Sequence, residues 1–152
     1  MRKFRVLFGI LGLVTAVAGL FWWYSGQGEP TFANAEDAAL VARGEVVYVE
    51  QCAACHGADL EGQPNWRERR PDGRLPAPPH DETGHTWHHA DLQLFEVTKY
   101  GTAAVAGPGY RTDMAAFGSV LSDTEIWAVL AYIKSRWPKS VRQRHAEINK
   151  RK

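Results

Sequence analysis

Two cysteines and a histidine within five residues carry the clearest chemistry in this sequence. They form the stretch Cys52-Ala53-Ala54-Cys55-His56, and the chain of 152 residues has no other cysteine. The pattern C-x-x-C-H is the attachment signature of c-type haem, in which each thiol forms a thioether with a haem vinyl group. The imidazole of His56 then lies where it reaches the iron. A four-cysteine zinc site is excluded because there is no second cysteine pair. We therefore expect one covalently bound haem c.

The spacing of apolar residues predicts three helices that position this motif. The first runs from about Ala38 to Gln51, directly before the motif, and another from Asp91 to Tyr100. The last begins at the capping box Ser122-Asp123-Thr124-Glu125, and Pro138 ends it at or before the preceding residue. Residues 57–89 are rich in Pro, Gly and Arg and lack periodicity. We expect them to form a loop, which is acceptable at this length only if the loop wraps a large cofactor.

With these features in this order, the chain resembles the class I monohaem cytochromes c of bacteria. The resemblance covers about residues 38–137 and includes a methionine segment, Met114-Ala115-Ala116-Phe117-Gly118, in which Ala115 stands where the family often has proline. It implies an all-α cytochrome c fold, with three to four helices wrapped around one covalently bound haem. It also implies that the first and last helices cross at Gly44, with Tyr48 and Tyr132 packed near the crossing.

The resemblance also implies the second iron ligand, Met114, on the face opposite His56. A thioether favours Fe(II) relative to a second imidazole and so raises the potential. The family further implies that a proline carbonyl, of Pro78 or of Pro79, accepts the N–H of His56. With two side chains on the iron, we expect a single-electron carrier that cycles between Fe(II) and Fe(III), and no enzyme activity or small-molecule substrate. The alternative is a haem enzyme or sensor with a labile sixth ligand.

Four further histidines lie within ten residues: His80, His85, His88 and His89. The interpretation that we favour is a polar loop over the haem edge, in which Trp87 or a neighbouring side chain donates a hydrogen bond to a haem propionate. Two alternatives stay open, a bis-histidine haem and a second metal site. Imidazoles suit copper or zinc, so the second alternative would make the chain a metal-handling protein.

Residues 1–25 are interpreted as a membrane anchor or signal sequence. Basic residues at positions 2, 3 and 5 precede the apolar run Val6–Tyr24, whose 19 residues would form a helix of roughly 28 Å. We favour an uncleaved transmembrane helix over a signal cleaved at Ala33-Asn34-Ala35, because the run is long for a signal peptide. The basic end would stay in the cytoplasm. The expected location is the bacterial inner membrane, with a single span and the haem domain in the periplasm.

The rest of the chain is divided into a linker (26–35), a cytochrome c domain (36–138) and a basic tail (139–152). Residues 36–133 carry 7 basic and 15 acidic side chains, whereas residues 134–152 carry 8 basic and 1 acidic. An acidic body would steer the domain toward a basic redox partner. We interpret the tail as a solvated extension, with contact to anionic lipid or to an acidic partner as the alternative. Nucleic-acid binding is not expected.

Overall fold

The computed structural model describes residues 32–151, and all regular secondary structure in this range is helical. The all-α fold class is therefore confirmed. Two predicted helices, Ala38–Gln51 and Asp91–Tyr100, have the predicted bounds. The α-helices are α1 (Ala38–Gln51), α2 (Ala53–His56), α3 (Asp91–Tyr100), α4 (Thr102–Ala106), α5 (Asp123–Ser135) and α6 (Lys139–Asn149), and a short 3₁₀ helix covers Thr86–His88.

Helices α1 and α5 cross at Gly44, as the family resemblance implies. A Cβ atom at Gly44 would collide with the carbonyl of Ala128 and lie 2.9 Å from the Cβ of Tyr132. Only glycine therefore permits this approach of the two backbones. Next to the crossing, the rings of Tyr48 and Tyr132 pack with centroids 5.4 Å apart.

Helix α5 forms the centre of the core. Its start is the predicted capping box, in which the Ser122 hydroxyl accepts from the backbone N–H of Glu125 and the Glu125 carboxylate accepts from the backbone N–H of Ser122. All residues from Ile126 to Ile133 are buried. Helix α3 packs against it through Phe95, whose ring stacks on Trp127 with centroids 4.3 Å apart.

The basic C-terminal tail, which was expected to be a solvated extension, forms a helix that docks on the domain through a few side chains, while most of its residues stay exposed. His145 in α6 is only 1% exposed and donates from Nε2 to the carbonyl of His89 at 2.9 Å. Asn149 accepts from the backbone N–H of Asp91 at 2.8 Å and donates to its carboxylate at 3.1 Å. These anchors are polar, so α6 lacks the broad apolar stripe that identifies a packed helix in a sequence.

Between α2 and α3, residues 57–89 contain no regular structure apart from the 3₁₀ helix, in agreement with the predicted loop. Within residues 32–151, no helix is both long and apolar enough to span a membrane. The predicted anchor or signal, residues 1–25, and most of the predicted linker lie outside the described residues.

Candidate functional site

The two cysteines and His56 are brought together by one helical turn. The carbonyl of Cys52, where α1 ends and α2 begins, accepts from the backbone N–H groups of Cys55 at 3.1 Å and of His56 at 2.9 Å. Both thiols are free, with Cys55 exposed and Cys52 partly buried. Burial, assisted by the nearby Cys55, raises the pKa of the Cys52 thiol to about 11. The turn therefore presents two unbonded thiols, as thioether formation requires.

The imidazole of His56 is held by a hydrogen bond to a backbone carbonyl. His56 is 7% exposed, and its Nδ1 lies 2.8 Å from the carbonyl oxygen of Pro78. A carbonyl only accepts, so Nδ1 carries the proton and Nε2 keeps its lone pair for a metal. Burial lowers the pKa of His56 more than this hydrogen bond raises it, which keeps the ring in the neutral form that binds metal. Pro78, and not Pro79, is thus the acceptor.

The helix crossing also fixes the end of the motif. Tyr48, which is fully buried beside the crossing, donates from its hydroxyl to the carbonyl of Gly57 at 2.9 Å. Gly57 ends α2 with a φ of 83°, a left-handed conformation that glycine adopts without strain. The packing of α1 on α5 is therefore linked directly to the position of His56.

His80 packs on the candidate ligand His56. The two rings are stacked, with centroids 3.9 Å apart, and Nδ1 of His80 lies 2.8 Å from the hydroxyl of Thr86. Its carbonyl accepts from Nε1 of Trp137 at 2.7 Å. Burial, together with the neighbouring His56 and then His85, lowers the pKa of His80 well below its usual range. His80 thus supports one face of the His56 ring, a role that the histidine-rich sequence alone did not reveal.

The other three histidines of this loop make ring contacts. The pairs are His85 with Trp66, His85 with His89, and His88 with Trp87. The indole N–H of Trp87 donates to the carbonyl of Glu82 at 3.2 Å. In the part of the chain that the structure describes, no group of three or more His, Cys, Asp or Glu residues is arranged to hold a metal ion.

Met114 is half-buried, and its sulfur faces a hydroxyl group. Thr102, the first residue of α4, donates from Oγ1 to Sδ of Met114 at 3.3 Å. The backbone N–H of Met114 donates to the hydroxyl of Thr112 at 3.0 Å. A thioether sulfur has two lone pairs, so this hydrogen bond leaves one for a metal. No pattern in the sequence indicated Thr102, because a threonine at a helix start is common for local reasons.

Ion pairs join the loop after the motif to the residue before Met114. The carboxylate of Asp113 lies 2.8 Å from Nη1 of Arg70 and 3.1 Å from Nε of Arg74. Arg70 also donates from Nη2 to the side-chain carbonyl of Gln63 at 2.8 Å. These residues lie about 40 positions apart in sequence, and no pattern in the sequence indicated their contact.

The donor set fits a covalently attached haem c. Two free thiols stand one helical turn apart, an imidazole keeps its Nε2 lone pair, and a thioether is held in a separate loop. His56 and Met114 have separate sets of neighbours within residues 32–151, so each would offer its donor atom to a haem iron independently of the other.

Comparison with known proteins gives two findings. The family model for Cytochrome c matches residues 41–137. The chain is 29% identical over 94 residues to the Cbb3-type cytochrome c oxidase subunit FixP of Azorhizobium caulinodans. That alignment covers 62% of this chain but only 28% of the relative, so the chain corresponds to a minor part of that subunit. Among solved structures, none matches the chain significantly.

Proposed function

Because the chain belongs to the cytochrome c family and carries covalently bound haem c, we propose that it is a single-electron carrier. In this proposal Cys52 and Cys55 form the two thioethers, and His56 and Met114 are the two iron ligands. The observation that carries the proposal is the His56 ring, whose Nδ1 is held by Pro78 while the same helical turn presents both free thiols. When bound, haem supplies a one-electron Fe(II)/Fe(III) couple.

The protein side chains set the properties of that couple. The Pro78 carbonyl fixes the orientation of His56 and increases the basicity of the nitrogen that faces the metal. The thioether of Met114, with Thr102 donating to its sulfur, favours Fe(II). With both His56 and Met114 bound to the iron, no position would be open to a substrate. The proposal therefore assigns electron transfer, the role of cytochrome c family proteins, rather than catalysis.

Optical spectroscopy of the full haem-loaded chain tests the two ligands. We expect a low-spin spectrum in both oxidation states, the long-wavelength charge-transfer band of a thioether on ferric iron, and no binding of carbon monoxide by the ferrous protein. A high-spin ferric spectrum, or rapid carbon monoxide binding, would contradict Met114 ligation and support a labile sixth position. Loss of the thioether band with a low-spin spectrum would instead indicate a second histidine.

We further propose that residues 1–25 anchor the protein in the bacterial inner membrane, with residues 26–35 as linker and the haem domain in the periplasm. The proposal is supported by the uncharged 19-residue run and the basic residues before it. The intact mass of the protein from extracted membranes should include the N-terminal segment. A mature protein that starts near Glu36 and is released without detergent would instead show signal cleavage.

The charge distribution supports a basic redox partner within a respiratory or dehydrogenase chain. Residues 36–133 carry 15 acidic against 7 basic side chains, whereas residues 134–152, which include the docked helix α6, carry 8 basic and 1 acidic. The folded domain is therefore nearly neutral but unevenly charged, and in this proposal its acidic part meets a positively charged surface. The similarity to an oxidase subunit is consistent with a respiratory role. Electron-transfer rates to such a partner should fall as ionic strength rises. A rate that is independent of salt, or that increases with it, would argue against a basic partner.

A further inference from the structure

Asp113, the residue before Met114, forms ion pairs with two arginines from the loop that follows the C-x-x-C-H motif. Nη1 of Arg70 donates to Oδ2 of Asp113 at 2.8 Å. Nε of Arg74 lies 3.1 Å from Oδ1, in an ion pair that lacks hydrogen-bond alignment. We call the three residues Arg70, Arg74 and Asp113 the arginine clasp. Its two most distant members, Arg70 and Asp113, are 43 positions apart in the sequence.

On one side, the two clasp arginines belong to the same loop as Pro78, the residue that positions His56. Gln63 accepts from Arg70 at 2.8 Å and from the backbone N–H of Ala77 at 3.2 Å. Ala77 directly precedes Pro78, whose carbonyl holds His56. A turn closed by the backbone bond from Arg70 N–H to the Arg74 carbonyl, 2.9 Å, carries both arginines. The guanidinium groups are thus fixed relative to the His56 side of the site.

On the other side, the segment that carries Met114 has mainly local support. Its nearest hydrogen bonds, to Thr102 and to Thr112, come from the same part of the chain. The next anchor follows at Phe117, whose backbone N–H donates to the carbonyl of Thr98 at 3.0 Å. Besides the clasp, a second contact toward the arginine-rich loop is the Tyr110 ring, with the Arg69 guanidinium 5.8 Å from its centroid.

We propose that the arginine clasp is a positioning device that keeps Met114 on the iron and so sets how readily the sixth position opens. The inference rests on the proposed function, in which Met114 is a ligand. An exposed ion pair is weak by itself. Here, however, one carboxylate meets two guanidinium groups, and Gln63 holds one of them in place. Such a network restrains a loop more than an isolated pair does, because charge-assisted bonds with fixed partners lose less entropy.

Imidazole binding to the ferric, haem-loaded full chain measures this opening. Free imidazole binds only after Met114 has left, so its apparent dissociation constant equals the intrinsic constant divided by the open fraction. We expect Asp113→Asn to bind imidazole roughly 3- to 10-fold more tightly than the wild type, because weakening the clasp enlarges the open fraction by that factor. Asp113→Glu should recover much of the wild-type value.

The matched control is Asp123→Asn, which removes another exposed carboxylate from an ion pair. Asp123 pairs with Lys99 at 2.7 Å and has no contact with the clasp arginines. Its imidazole affinity should stay within about twofold of the wild type, the scale of an effect below 0.5 kcal/mol. An equal shift in both variants would show a general loss of charge and would overturn the clasp.

Two further results separate this inference from the proposed function. A wild-type protein without the thioether band overturns Met114 ligation, and the clasp with it. A wild-type protein with that band, together with unchanged imidazole affinity in Asp113→Asn, overturns the clasp alone.

Arg70→Gln provides a second route, should Asp113→Asn fail to load haem, and is expected to shift the imidazole affinity in the same direction. Combined in one chain, the two changes should act less than multiplicatively, and independent effects would contradict the clasp.

Discussion

The two proposed iron ligands are held by different kinds of structure. The histidine side consists of Cys52–His56 with Pro78 and His80, and the methionine side consists of Thr102 and Thr112–Met114. His56 is buried and bonded to a backbone carbonyl, and the ring of His80 lies on its face. Met114 is half-buried in a loop and relies on two hydroxyl groups and on the neighbouring ion pairs of Asp113.

This difference indicates which properties a substitution can change. A backbone carbonyl cannot be removed by mutation, and buried hydrogen bonds cost more to break than exposed ion pairs do. The methionine side is built from side chains, and each of them is replaceable. We therefore expect substitutions on the histidine side to abolish haem attachment. Substitutions on the methionine side should leave the haem attached and change the sixth position and the redox potential.

The largest effect is expected for His56→Ala. Without the imidazole, the haem loses its ligand beside the two thioether positions, and the covalent haem content per chain should fall severalfold. Absorbance of the haem relative to protein concentration measures this content. His88→Ala, which changes an exposed histidine stacked on Trp87, is the control and should load normally. Full loading of His56→Ala with an unaltered spectrum would remove the distinction between the two sides.

A smaller change is expected for Met114→Ala, because the thioether tethers and His56 remain. The haem should stay attached while the sixth position opens. The ferric spectrum should become high-spin, the ferrous protein should bind carbon monoxide, and the midpoint potential should fall because the thioether no longer favours Fe(II). Redox titration and carbon monoxide difference spectra give these values. If haem loading fell as far as in His56→Ala, the methionine side would also be required for haem attachment, and the distinction between the two sides would be wrong.

Thr102→Val should change only the potential. Valine has nearly the shape of threonine but cannot donate to Sδ of Met114. The hydroxyl draws electron density away from the sulfur, so its loss should stabilise Fe(III) and lower the potential by about 20–40 mV, the equivalent of one hydrogen bond of roughly 0.5–1 kcal/mol. Thr102→Ser keeps the donor and should lie near the wild type. Equal potentials in the valine and serine variants would show that the hydroxyl does not act on the ligand.

His145 lies outside both sides, and its titration should leave the iron ligands unchanged. Burial lowers the pKa of His145, although Asp91 opposes the shift. Below pH ~6.5, the unfolded chain therefore takes up a proton that the folded chain does not bind, and the free energy of unfolding should fall as the pH drops toward the lowered pKa. Above that pH, both states are neutral and this contribution is constant.

Denaturant unfolding of the haem-loaded protein at pH 7.0 and pH 5.5 measures the effect. His145→Gln should show a smaller loss of stability on acidification by an amount on the order of 1 kcal/mol, with an unaltered haem spectrum at both pH values. The same acid sensitivity in wild type and variant would place the responsible groups elsewhere.

Local signals in the sequence were sufficient to predict the main helices of this protein and the crossing of two of them. The bounds of α1 and α3, the capping box of α5 and the crossing at Gly44 each depend on residues close in sequence or on one glycine of a family pattern. The assignment of Met114 as a ligand stays a prediction. Its neighbour Thr102 was identified only by the structure, which also decided between Pro78 and Pro79, the two acceptors that the family resemblance implied.

The contacts that the sequence did not reveal are mostly polar and join residues that are far apart in the sequence. The arginine clasp joins positions some 40 residues apart, and polar contacts of this kind leave no periodic trace. Helix α6 was missed for a related reason. Its anchors are His145 and Asn149, which bond to backbone and carboxylate groups of residues almost 60 positions away.

The crossing of α1 and α5 also has a consequence for the order of events during synthesis. Gly44 and Ala128, which meet there, are roughly 80 residues apart, so the contact closes a long loop and cannot form until the residues of α5 have been made. Cys52 and Cys55 emerge well before that point. During this interval the helix crossing is absent, so we expect both thiols to be accessible for haem attachment before tertiary packing surrounds His56.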